Sequence, residues 1–191
     1  MAERTYRLLV AIAITLTVAW VLWSFYDMHR VRAPGDYAYH AGTNHFADGH
    51  YRQALESYEK ALATAPEHLA ALRGKAEALI ELDRETEAIE IYQTLIARQP
   101  DFAGHHANLG IAHDRLGQHY KALASYRRAL AMDEAVGNGP GWLTRFFRKQ
   151  AEKPPGIAER AAYLEAQLAL PEAERVLQVP ELDRTQRPYK E

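Results

Sequence analysis

The stretch YRQALESYEKALATAP, Tyr51 to Pro66, decides the fold because the chain writes it again. EAIEIYQTLIARQP ends at Pro100 and KALASYRRALAMDE ends at Glu134, a recurrence every 34 residues. The same offset aligns Ala54, Ala88 and Ala122, then Tyr58, Tyr92 and Tyr126. It also aligns Leu55, Ile89 and Leu123, and Ala61, Leu95 and Ala129. A turn column reads Gly49, Asp83, Gly117, and a small-residue column upstream reads Gly42, Ala76, Gly110. Apolar residues at i, i+1, i+4, i+7 and i+8 form one face of a helix. One helix pair cannot bury such a face alone, so each copy is the packing partner of the next.

On these columns the sequence resembles the tetratricopeptide repeat family. The small residue of the first helix, the glycine-type turn, the alanine–aromatic–alanine spine and the closing proline carry the resemblance, over Gly35 to Val136. It implies an all-α, three-repeat helical solenoid over 35–136, with repeats at 35–68, 69–102 and 103–136. Helix pairs are expected at about 36–48 with 52–65, 69–82 with 86–98, and 103–116 with 120–133. The third copy closes on Glu134 instead of proline, so its second helix is expected to run on.

In this family the first helix of each pair lines a concave binding face. The resemblance therefore implies partner-binding residues at Tyr39, Thr43 and Phe46, then Arg73, Glu77 and Ile80, then Ala107, Asn108, Ile111 and Asp114. Aromatic and aliphatic groups with charges of both signs suit a peptide segment or partner helix and not a polyanion. One subtype of the family clamps a terminal carboxylate with lysine, arginine and asparagine. The equivalent positions offer Arg73 and Asn108 but also Tyr39, Thr43, Glu77 and Gly104, and Glu77 would repel a carboxylate across a short gap. Two alternatives stay open: a groove filled by the chain's own C-terminal segment, and binding on the convex side.

At the other end, LLVAIAITLTVAWVLWSFY is uncharged from Leu8 to Tyr26. As a helix this length spans a bilayer core. Trp20, Trp23, Phe25 and Tyr26 at one end and Tyr6 at the other suit headgroup depth. The exit SFYDMHRVRAPG offers no small-residue cleavage site. The expectation is a flank at 1–7, a single transmembrane anchor at 8–26 and a linker at 27–34. Arg4, Arg7 and the amino terminus against Arg30 and Arg32 tilt the orientation slightly toward N-terminus inside. That would make this a single-pass protein of a bacterial inner membrane, its repeats on the periplasmic side.

Composition excludes other classes. A net charge of -2 and a pI near 6.5 give no basic stripe for nucleic acid. Without cysteine there are no disulfides, thiolate metal sites or thiol nucleophiles. Among nine histidines, His40, His45, His50, His105, His106, His113 and His119 all fall in the first and third copies, yet no HExxH or comparable spacing occurs. There is no GxSxG elbow and no phosphate loop; GNGPG at 137–141 lacks the following Lys-Ser/Thr. No catalysis, cofactor, metal or small-molecule substrate is expected.

The region 137–191 reads as a helical cap and an extended polar tail. GWLTRFFRKQAEK (141–153) places Trp142 and Phe146 beside Arg145, Arg148 and Lys149, which suits either an anionic membrane or acidic partner, or a cap on the last repeat. A helix is expected at about 157–170, and a further short one opening at Pro171. The function expected is a membrane-anchored scaffold, adaptor or assembly factor. The alternative is a permanently bound accessory subunit of a membrane complex, with the tail as main contact.

Overall fold

The computed structural model describes residues 2–29, 33–138 and 156–178. Among them the chain is all-α, with eight helices and two 3-10 turns. It divides into two units, Met1–Pro34 and Gly35–Glu191.

The first unit is one helix, α1, Ala2–His29. Its large apolar side chains stay exposed around the whole circumference, Leu9, Leu16, Trp20 and Trp23 among them. Among the described residues no helix is long and apolar enough to cross a membrane. The anchor expected over 8–26 is therefore not supported among the described residues. The helix itself forms, and α1 contains the whole of 8–26.

The second unit holds three helix pairs: α2 (Asp36–Ala47) with α3 (Tyr51–Thr64), α4 (Leu69–Glu81) with α5 (Glu85–Arg98), and α6 (Ala103–Arg115) with α7 (His119–Met132). Each helix packs chiefly on its sequence neighbours, and α2 also touches α4. The repeated columns become the core: Ala54, Ala88 and Ala122, Ala61, Leu95 and Ala129, and the three tyrosines are all buried. The tyrosine rings set the spacing. A Cβ on Gly42 would lie 2.7 Å from the Tyr58 ring, and one on Gly74 would lie 2.5 Å from it. A Cβ on Gly110 would lie 2.4 Å from Tyr126. Tyr58 thus wedges between the first helix of its own repeat and that of the next, where only a missing side chain leaves room.

The turn column has a backbone cause. Gly49, Asp83 and Gly117 all take positive φ, at 78°, 56° and 69°. Glycine suits this left-handed turn; aspartate adopts it at some strain.

The last repeat ends differently from the expectation. The second helix does not run on: α7 stops at Met132, Asp133 turns extended, and its Oδ1 accepts the Ala135 N–H at 2.9 Å. A 3-10 turn over Glu134–Asn138 follows. The end of the stack is covered by α8, Ile157–Leu168, which buries Ile157, Ala161 and Leu164 and packs on α7. The basic stretch 141–153 lies outside the described residues. The short helix expected at Pro171 reduces to one 3-10 turn, Glu172–Glu174, followed by Arg175 in extended conformation and irregular chain to Gln178.

Helix α6 buries two histidines. Burial, with the Arg73 guanidinium next, lowers His105 to about 4, and burial also depresses His106 and His113. These groups are neutral in the fold and ordinary in the unfolded chain, so the unfolded state binds more protons as pH drops below about 6.5. Their contribution is complete above that value and falls below it, that of His105 progressively toward pH 4.

Two tests follow from this packing. Gly110→Ala should destabilise the repeat unit by about 1–3 kcal/mol through overpacking against Tyr126, whereas Asp83→Gly should stabilise it by up to about 1 kcal/mol by relieving the left-handed turn; urea denaturation reads both. Between pH 7.5 and 5.5 the melting temperature should fall by several degrees, with His105 alone supplying on the order of 1 kcal/mol. His105→Gln should flatten that dependence; an unchanged melting temperature in the wild-type chain would contradict it.

Candidate binding cleft

A cleft of about 130 Å³ opens between α2 and α4, lined by Tyr39, Thr43, Tyr58, Ala70, Arg73, Gly74 and Glu77. Its floor is the Tyr58 wedge. Gly74 leaves the space, and the ring that enters it brings a phenol to the cleft. Burial pushes that phenol up to about 12, with the Thr43 hydroxyl partly offsetting the shift, so it stays a neutral donor at any physiological pH.

Each wall is fixed from behind. The Tyr39 ring lies 5.0 Å from His68 and 6.1 Å from Tyr58. His68 closes the start of α4: its Nδ1 accepts the Ala71 N–H at 3.2 Å and its Nε2 lies 3.1 Å from Asp36 Oδ1. Both contacts are made at once by the neutral tautomer with the proton on Nε2. The Thr43 hydroxyl donates to the Tyr39 carbonyl at 3.1 Å. Opposite, the Arg73 guanidinium sits 5.3 Å from the Phe102 ring centroid, and its Nε is 3.9 Å from Glu77 Oε1. The cleft thus presents aromatic surface, hydroxyls, a half-buried guanidinium and a buried carboxylate within one small space. That mixture can hydrogen-bond peptide groups as donor and acceptor, and its opposed charges disfavour a polyanion.

Of the expected binding residues, the structure brings Tyr39, Thr43, Arg73 and Glu77 together. It does not do so for the others. Phe46 stacks edge-on against Tyr51 at 5.2 Å, at the far end of α2. Ile80, Asn108 and Ile111 are wholly buried, with Ala107 beside them, and so present nothing to a partner. Asp114 is buried as well: Arg160 grips it through Nε at 2.7 Å and Nη2 at 3.0 Å, His119 Nδ1 lies at 2.9 Å, and the Tyr126 hydroxyl donates at 3.3 Å. These positions are corrected from binding face to core. Trp142, Arg145, Phe146, Arg148 and Lys149 lie outside the described residues.

The repeat itself explains why the first interface is the open one. Moved on by one period, Gly74 becomes Asn108 and Glu77 becomes Ile111. At the second interface a buried amide stands where the first has none, beside Tyr92. Sequence reasoning missed Tyr58, Ala70 and Gly74. Ala70 lies one turn before Arg73 on the same face, a signal that the helical period carried. Among the described residues no group of three or more His, Asp or Glu is arranged to hold a metal ion.

Comparison with known proteins places this geometry. Tetratricopeptide repeat models match residues 45–109 and 86–140, together half of the chain. The Hsp70-Hsp90 organizing protein of Triticum aestivum is 30% identical over 114 residues, which is 60% of this chain and 19% of that protein. The chain thus spans about a fifth of that relative's length. Among solved structures, the Sgt2 TPR domain from Aspergillus fumigatus superposes with a TM-score of 0.53 at 18% identity, covering 73% of this chain and 87% of that one. The first TPR of Spaghetti (RPAP3), bound to the HSP90 peptide SRMEEVD, gives 0.51 at 19% identity over 68% and 94%. MamA from Desulfovibrio magneticus gives 0.51 at 20% over 84% and 81%. At such identities the likeness is one of fold. Repeat columns, helix pairs and matched models agree, and the chain belongs to the tetratricopeptide repeat family.

Proposed function

We propose that this chain is a non-catalytic protein-recognition module whose repeats hold a peptide segment or partner helix in the α2/α4 cleft. The observation that carries the reading is the convergence of Tyr39, Thr43, Arg73 and Glu77 on one cleft, each braced by its own packing. A cleft braced in this way binds without first ordering its own side chains. The solved RPAP3 repeat carries an HSP90 peptide, so the fold accommodates a peptide ligand. The ligand chemistry proposed here differs, since Glu77 opposes an acidic terminus. A segment that offers backbone amides with a neutral or basic side chain toward Glu77 fits best.

We propose further that α1 holds the repeats at a membrane, as a scaffold or assembly factor would require. The uncharged run from Leu8 to Tyr26 supports this, as does apolar exposure on every side of the helix. So do Thr15 and Thr17, whose hydroxyls donate back to the carbonyls of Ala11, Ile12 and Ala13, as polar side chains in hydrocarbon must. With the N-terminus inside, the repeats lie on the periplasmic face of a bacterial inner membrane.

Arg73→Gln should weaken partner binding about tenfold or more, the effect of losing a charge-assisted hydrogen bond, while the repeat unit melts within a few degrees of wild type. Undiminished binding by the folded variant would move the site out of the cleft. For the anchor, carbonate washing of membranes should leave the full chain in the pellet and release a chain lacking residues 1–34. Release of the full chain would remove the membrane reading and leave the cleft untouched.

A further inference from the structure

After α8 the chain doubles back. The turn at Glu172–Glu174 ends in an extended Arg175, and residues 176–178 run back along the helix the chain has just left. Side chains of α8 hold the backbone of this arm. Gln167 Oε1 accepts the Val176 N–H at 2.7 Å, the Tyr163 hydroxyl donates to the Val176 carbonyl at 2.6 Å, and Arg160 Nη2 donates to the Leu177 carbonyl at 3.0 Å. Arg160 is the residue that grips buried Asp114 on α6, so its guanidinium is fixed in place whether or not the arm is present. Tyr163 packs on the same guanidinium at 5.4 Å.

Little of the arm's sequence is read. Of its side chains, Leu177 packs against the core, whereas Val176 is 56% exposed. Gln178 reaches toward the turn at Gly117. Recognition of backbone at successive residues, with one aliphatic side chain inserted, is how a surface takes an extended peptide of loosely specified sequence. An arm with so few buried contacts belongs to the least stable part of a structure and opens locally.

We infer that Arg160, Tyr163 and Gln167 form a second peptide-binding surface, occupied in this chain by its own residues 175–178 as an internal ligand. An extended partner segment with an aliphatic residue at the Leu177 position binds there once the arm is displaced. The arm lowers apparent affinity by the fraction of time it stays seated. The site is separate from the α2/α4 cleft and does not rest on the reading of that cleft.

The test uses the full chain in mild detergent and a fluorescent synthetic peptide of residues 171–181, PEAERVLQVPE, as the probe. Val176→Pro with Leu177→Asp releases the arm without touching the surface. Proline removes the Val176 N–H, and it suits the extended conformation already present at Arg175. The released variant should bind the probe saturably, at least tenfold more tightly than wild type. Adding Tyr163→Phe and Gln167→Ala should abolish that binding, whereas adding Arg73→Gln should not. Equal binding by wild type and the released variant, no binding by the released variant, or retained binding after the Tyr163 and Gln167 changes would each overturn the inference. Circular dichroism and melting temperature confirm that every variant is folded.

Discussion

The rest of the repeat unit depends on a tyrosine ring pressed against a helix that has no side chain to meet it. Tyr58 contacts positions where Gly42 and Gly74 leave bare backbone, and Tyr126 does the same against Gly110. Close-packed interiors tolerate neither a void nor an extra methyl at such points. The wedge therefore fixes how near α2 and α4 can lie, and the period of 34 residues delivers a ring to each successive interface. The same ring is the floor of the cleft. Stability and the proposed recognition share one side chain, since the ring that packs against Gly42 and Gly74 also lines the cleft.

A stack of this kind must be closed, and the closure here is polar. The Asp114–Arg160 pair is buried and bidentate, with His119 and Tyr126 satisfying further valences of the carboxylate. A buried ion pair adds little net stability against an apolar substitute, but losing one partner leaves an uncompensated charge. Its consequence is register. A helix that shares only an apolar stripe with α7 has several ways to sit, and a guanidinium that must find one carboxylate has one. Asp114 stands in the column of Phe46 and Ile80, so the last repeat differs from its predecessors where the repetition ends.

The helices and core columns were legible because repetition tests itself: a column that recurs three times at one offset is packing. Even the left-handed turn could be read from Gly49 and Gly117, with Asp83 as the strained exception. The candidate cleft was legible only in part. Tyr39, Thr43, Arg73 and Glu77 converge on one cleft, whereas Ile80, Asn108 and Ile111 are buried against neighbouring helices. A helical period gives direction around one axis and does not say which directions a neighbour closes. A capping helix was legible, but the contacts that hold it were not. Arg160 pairs across 46 positions of sequence with no repeat to announce it, and the end of α7 rests on one carboxylate, that of Asp133, bonding two residues on. Both are single events in a chain otherwise understood by recurrence.

The measurement that tests the central claim most directly is site-specific photo-crosslinking in the source cell. A photoreactive residue replaces Thr43, inside the cleft, or Glu90, exposed on α5. The account predicts a discrete crosslinked protein from position 43 that is absent from position 90, and that disappears when Arg73→Gln is added. A crosslink from position 90 alone, or one from position 43 indifferent to Arg73, would contradict it.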